Sequence, residues 1–275
     1  MGVQKRTTSL DAVRARVTDS ARDGARKHLI DYYSRTGGRD FDVAVRDSRI
    51  FTLNYFTKDD LVAVAHLSVH ARPEFEKWLL GEDGLRETGA LLEQIPSSLR
   101  LEDVDPTELA NHFGKEGPVY KLWTLLVDHL RDTKQPGRWG IQVLAIKLMA
   151  LKRQHLVPMA DTYVRDSLHR SWDNNWSRLW EVLRDPEIAA ALEGVRAEAV
   201  QALREAKVDE SYITVLKELP LVRVLDVIAW ECGKLKRKSK RLKRRCRGVA
   251  TLSPVAAAAT KQELYADGMS AVILM

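Results

Sequence analysis

Ten lysines and arginines crowd the fourteen residues 234–247, KLKRKSKRLKRRCR, with no acid among them. Like charges at that density repel one another and cannot be enclosed in an apolar interior, so any core the chain builds must be complete without them. Outside the run 34 basic residues face 38 acidic ones, a net charge of −4, against +6 for the whole 275-residue chain. Basicity is therefore local, and polyanion binding is its default physical consequence, with steep salt dependence where the partner is nucleic acid. Lys234, Lys236, Arg237, Lys238, Lys240, Arg241, Lys243, Arg244, Arg245 and Arg247 are the candidate nucleic-acid contacts. A solvated tail with no dedicated partner and an anionic membrane surface are the alternatives.

The segments before the run read as helices. Leu10, Val13, Val17, Ala21, Ala25, Leu29 and Tyr33 recur at spacings of three and four, the stripe of an amphipathic helix that Gly37-Gly38 ends. Residues 40–54 alternate weakly; a short strand pair is conceivable, and a loop is the preferred reading in so helical a chain. Thr57, with acids in the following turn, caps a helix expected to reach His70, and Pro73 opens the next. Shorter helices are expected over 85–95 and 105–113, the latter capped by Asp105 before Pro106. Pro118 to Asp132 carries Leu122, Leu125, Leu126 and Leu130 on one side. Trp172, Trp176 and Trp180 fall four apart and share a face, more readily core than a stacking platform for bases. Leu219 to Trp230, LPLVRVLDVIAW, is apolar almost all round and marks a core helix.

With 45% hydrophobic residues there is enough apolar surface for a sizeable core. The expectation is an all-α fold: a single multi-helix globular body over 1–233 and a flexible basic, irregular extension over 234–275. No apolar run reaches the ~20 residues of a membrane span, and the N-terminus lacks a signal-peptide core, so a cytoplasmic location is expected. Cys232 and Cys246 give neither a disulfide framework nor a cysteine zinc site. Among the histidines only His66 and His70 have ligand spacing, without a third ligand nearby in sequence, so no metal and no cofactor are expected.

The stretch from Pro136 to Leu168 concentrates the chemistry. Gly137 and Gly140 in PGRWG permit close backbone approach, so the turn could aim N–H groups at a phosphate with Arg138 adding charge, or simply join two helices. Lys147 lies inside the apolar run VLAIKLMAL, either snorkelling outward or buried for use. Lys152 and Arg153 follow as further candidate phosphate contacts. Asp161, after Pro158, caps the next helix or, facing a cleft, activates water and stabilises developing positive charge.

Three segments, FTKDDLVAVAHLSV from Phe56, KLMALKRQHLVPMAD from Lys147 and LPLVRVLDVIAW from Leu219, together resemble a bacterial family of domains of unknown function, number 6308, over about residues 50–232. Members tend to show an Arg-Lys-Arg-Pro type run and an aromatic before the aspartate; this chain has Leu151-Lys152-Arg153-Gln154 and Ala160 instead. That family carries no activity to transfer. A more local similarity, over about 30 residues, is to helix-hairpin-helix DNA glycosylases. It rests on the Pro-Gly turn, and on Pro158-Met-Ala-Asp161-Thr162-Tyr-Val164 some twenty residues beyond Gly140. The turn has one residue too many for that pattern, and so does the Pro-to-Asp segment. By that resemblance Gly137 and Gly140 hold DNA phosphate, Asp161 supports base excision, and Gln142 in place of a Schiff-base lysine argues against lyase chemistry.

Three functions are thereby carried forward. The first is a nucleic-acid-associating helical protein in which the basic run supplies affinity and the central turn a phosphate contact. The second is a monofunctional glycosylase-like enzyme using Asp161. The third is a non-catalytic scaffold for a protein partner, which predicts an exposed apolar patch.

Overall fold

In the computed structural model, residues 13–15, 17, 22–35, 37–48, 53–131, 140–159, 161–168 and 175–250 are described. They contain helices and turns and no strand, so the fold is all-α. The chain divides into two compact units after Cys232.

The helices begin where local chemistry dictates. The first two are α1 (Arg22–Arg35) and α2 (Gly38–Ser48), and α3 (Lys58–Ala65) follows. Thr57 accepts from the Asp60 amide while the Asp60 carboxylate accepts from the Thr57 amide, a reciprocal capping box that satisfies two otherwise orphaned donors. Next come α4 (Pro73–Leu79), α5 (Glu82–Glu93), α6 (Pro106–Phe113) and α7 (Pro118–Leu130). Three of these four open on proline, whose missing N–H costs nothing in a first turn, and Asp105 boxes with Glu108 at the start of α6. Then α8 (Gly140–Lys152), α9 (Thr162–Leu168), α10 (Asn175–Leu183), α11 (Pro186–Glu205), α12 (Glu210–Glu218) and α13 (Leu221–Ala250) complete the order. Asp185 and Asp209 cap α11 and α12.

The apolar stripes meet in one core. From the first of them Val13, Val17, Ala25, Leu29 and Tyr33 are buried; α11 lies along α1, α2 along α3, and α8 packs on both α3 and α7. In α13 every residue from Leu221 to Ala229 is buried, as its all-round apolar character requires.

Two expectations are corrected. Residues 38–48 form α2 rather than a loop, because Phe41 and Val45, four apart, bury one helical face and the alternation of neighbouring polar residues is incidental. The helix from Thr57 ends at Ala65, five residues early. There the chain turns through His66 and Leu67, and Ser68 takes a left-handed conformation at φ 56°. Trp172 lies outside the described residues. Trp176 meets Phe113 with ring centroids 5.1 Å apart, and Trp180 donates its indole N–H to the Val104 carbonyl, so both serve packing.

Candidate functional site

The helix α8 is apolar nearly all round, and Leu144 through Leu151 are all buried. A charge on such a helix has no solvent side to escape to, and each must find its own solution. Lys152 is buried and meets the equally buried Asp60 carboxylate at 2.5 Å. Burial pushes the lysine pKa down and the Asp60 pKa up, each opposed by the other's charge. Arg153 is buried too, and among the described residues no carboxylate forms an ion pair with it. Its guanidinium donates to the carbonyls of Ile95 (2.7 Å), Leu53 (2.8 Å), Lys152 and Leu92 and to the Asn54 side-chain oxygen (2.8 Å). Burial lowers its pKa to about 10. The fork ties the end of α5 and the segment before α3 to the end of α8. Lys152 and Arg153, expected as phosphate contacts, are both buried, and the contacts of their charged ends described above are to groups within the body.

Lys147 is solved differently. It lies on the wall of a cavity of about 390 Å³ that also takes in Asp161 and residues of α1, α9 and α13. Its ammonium donates to the Leu67 carbonyl at 3.3 Å, and no carboxylate of a described residue comes within ion-pair distance. Burial lowers its pKa to about 8, the Asp161 charge opposing that fall and the Arg223 charge adding to it. A buried, weakly partnered ammonium is costly to the fold, which is why such groups mark functional sites.

Arg223 and Tyr32, which line the cavity, belong to a buried polar lattice completed by Asp42 and Tyr33. Arg223, from α13, donates through Nε to Asp42 Oδ1 (2.9 Å) and through Nη2 to the Tyr32 hydroxyl (2.6 Å), while Tyr33 donates to Asp42 Oδ2 (3.0 Å). Desolvation drives both tyrosine pKa values up, so both phenols stay neutral; the Asp42 charge holds the guanidinium fully protonated. Gly38 belongs to this arrangement, since a Cβ there would fall 2.2 Å from the Tyr32 hydroxyl oxygen. One turn along α13, Asp226 accepts the Met159 amide at 2.6 Å and pins the segment that carries Asp161. Leu67 and Ser68, the latter in the left-handed region, also line the cavity.

Asp161 caps the next helix and also lines the cavity. Its Oδ1 accepts from the amides of Tyr163 (2.8 Å) and Val164 (2.9 Å), capping α9, and the residue is half-buried on the cavity wall. The structure thus brings Lys147 and Asp161 to the wall of one cavity, and Gly140 is the first residue of α8. Gly137 and Arg138 lie outside the described residues. In the unit after Cys232, Lys234, Lys236 and Lys238 are exposed and Arg237 is half-buried, on the helix that continues through Ala250; the side chains of Lys240, Arg241, Lys243, Arg244, Arg245 and Arg247 lie outside the description, as do residues 251–275. The most exposed large apolar side chains described are Leu53, Tyr55, Val62 and Leu235.

Sequence reasoning missed Arg223, Asp226, Asp42 and Tyr32. The available signal was charge inside the core-helix pattern LPLVRVLDVIAW: an arginine and an aspartate in a segment with no polar face must be satisfied internally. Among the described residues no cluster of three or more His, Cys, Asp or Glu could hold a metal ion, and no described helix is long and apolar enough to cross a membrane.

The model of the Family of unknown function (DUF6308) matches residues 25–233, which include every cavity residue named above. No curated protein and no solved structure matches the chain.

Proposed function

This chain belongs to the family of unknown function DUF6308, and we propose that its cavity is a small-molecule site in which Lys147 and Asp161 are the reacting pair. One observation carries the reading: a buried amine with one weak carbonyl contact lines a cavity of about 390 Å³ that a carboxylate lines as well. That volume sits at the lower end of small-ligand sites, and walls of mixed apolar and convergent polar groups are what such sites have. A lysine of pKa about 8 exchanges a proton readily near neutrality, the requirement for general acid–base work or nucleophilic attack.

Competitive labelling tests it. Trace acetylation with acetic anhydride at pH 8, mapped by peptide, is expected to modify Lys147 faster than the exposed Lys121, and benzyl alcohol, benzoate or acetate is expected to protect Lys147 alone. Lys147 reacting no faster than Lys121, with none of the three protecting it, removes the reading.

A second reading, nucleic-acid association, is supported by a different feature, the ten positive charges of 234–247. Neutralising those ten residues to glutamine is expected to abolish a low-salt gel shift with duplex DNA or RNA and to flatten its salt dependence; binding that survives unchanged defeats it. Base excision by Asp161 is the enzymatic form of that reading, and predicts free base released from damaged duplex.

A further inference from the structure

We propose that Lys147 forms a covalent imine with a small aldehyde or ketone whose body is chiefly apolar, and that Asp161 moves the protons this requires. The inference rests on the small-molecule reading above and names its substrate class.

The geometry supplies the parts. Of the hydrogens on the Lys147 amine, one is directed to the Leu67 carbonyl, leaving a lone pair and a second N–H for a ligand. No described carboxylate holds the nitrogen in an ion pair, in contrast to Lys152, so nothing on the protein must be displaced before it attacks. The fixed cation Arg223, locked by Asp42 and Tyr32, disfavours a second positive charge nearby. Asp161 spends Oδ1 on the α9 amides, and Oδ2 accepts no hydrogen bond from a described residue. The remaining walls, among them Leu67, Met159, Val164, Val227 and Trp230, favour an apolar or aromatic body over a highly hydrated one.

The chemistry balances without a co-reactant. The amine lone pair forms the C–N bond as the carbonyl π pair moves to oxygen, which takes up a proton. Through an intervening water, Asp161 takes the first amine proton and passes it to the alkoxide oxygen, then takes the second and passes it to the departing hydroxyl, so both amine hydrogens leave with the carbonyl oxygen as water. Hydrolysis reverses the sequence. The titratable or charged residues that line the cavity with the amine are Asp161, Arg223, Asp226, His66, Tyr163 and Tyr32.

The test uses the full chain, benzaldehyde as probe and cyanoborohydride, which delivers hydride to an imine carbon and fixes the adduct. At pH 7 a lysine of pKa about 8 is about one-tenth neutral, against well under a thousandth for an ordinary one. Burial slows access, so Lys147 is expected to carry the benzyl group at least about tenfold faster than Lys121. Asp161→Asn keeps the cap and, at pH 9 where the amine is largely neutral in both proteins, is expected to slow capture at Lys147 by about tenfold or more without altering Lys121. Benzyl alcohol, the same body without the carbonyl, separates the two failures. If the alcohol protects Lys147 from acetylation but benzaldehyde is captured no faster there than at Lys121, imine chemistry is wrong and the small-molecule site stands. If neither occurs, both fall. Capture at Lys147 that Asp161→Asn leaves unslowed overturns the role given to the carboxylate.

Discussion

Lys147 and Lys152 stand five residues apart on α8, about 140° apart around the helix axis, and they meet opposite fates. Both are buried, and in both burial drives the pKa down. Lys152 faces α3, where Asp60 at 2.5 Å compensates its charge; Lys147 faces a cavity, where a carbonyl at 3.3 Å does so poorly. The difference teaches where to look for chemistry in an all-helical body: in the buried charge left incompletely compensated, rather than in the charge that is merely buried.

The comparison is broken most forcefully at the paired end. Lys152→Met leaves Asp60 buried opposite a methyl group, and loss of one partner of a buried pair costs about 3–5 kcal/mol. Denaturant unfolding is expected to show that loss, and the double variant with Asp60→Asn to recover most of it. A single variant as stable as the parent would mean that the pair contributes nothing.

The unpaired end predicts the reverse sign. Lys147→Met removes a charge the fold holds at a cost and is expected to stabilise by about 1–3 kcal/mol at pH 7, the range for relieving a poorly satisfied buried polar group. The pH dependence follows from the lowered pKa. Between about 8 and the ordinary 10.5 the unfolded chain binds a proton at Lys147 that the folded protein has released, so parental stability rises with pH through that window. The advantage of Lys147→Met is therefore fully present below pH 8 and shrinks above it. Melting temperatures of the two proteins at pH 7 and pH 10 check this, and an advantage that grows with pH refutes it.

Behind the cavity, Gly38→Ala sets a methyl group against the Tyr32 hydroxyl and must turn that phenol from Arg223. Overpacking of this kind costs about 1–3 kcal/mol. Lys147 acetylation is expected to change with it, since the cation that Tyr32 helps fix lies on the same cavity; unaltered labelling would detach the lattice from the site.

What the sequence displayed and what it concealed divide by range. Caps and first-turn prolines are local, so Thr57, Pro73, Asp105 and Pro118 announced their helices. The anomaly of Lys147 was visible because eight apolar neighbours, four on each side, surround it in sequence. Concealed were pairings at long separation: Asp42 with Arg223 across 181 residues, and Arg153 with Leu53 across 100. No periodicity encodes which distant carboxylate or carbonyl will meet a buried cation. Asp60 shows the same limit from the other side, since its capping role was legible and its partner Lys152 was not. The family-like segment around Lys152-Arg153 invited a surface reading because basic residues are usually exposed; on a helix with no polar face that prior fails.

Asp161 gives the smallest and most discriminating effect, because capping and charge can be separated there. Asp161→Ala removes both and is expected to cost about 1 kcal/mol through the lost cap. Asp161→Asn keeps an oxygen for the Tyr163 and Val164 amides, and its stability is expected to stay within a few tenths of a kcal/mol of the parent. Yet it deletes the negative charge that opposes the fall in the Lys147 pKa, so the pH midpoint of Lys147 acetylation should move below about 8 while that of Lys121 stays put. The shift is modest, since Asp161 is only half-buried and water screens it. If the midpoint does not move, Asp161 is a helix cap and nothing more; if it moves with stability unchanged, the carboxylate acts on the amine across the cavity, independently of holding α9 in place.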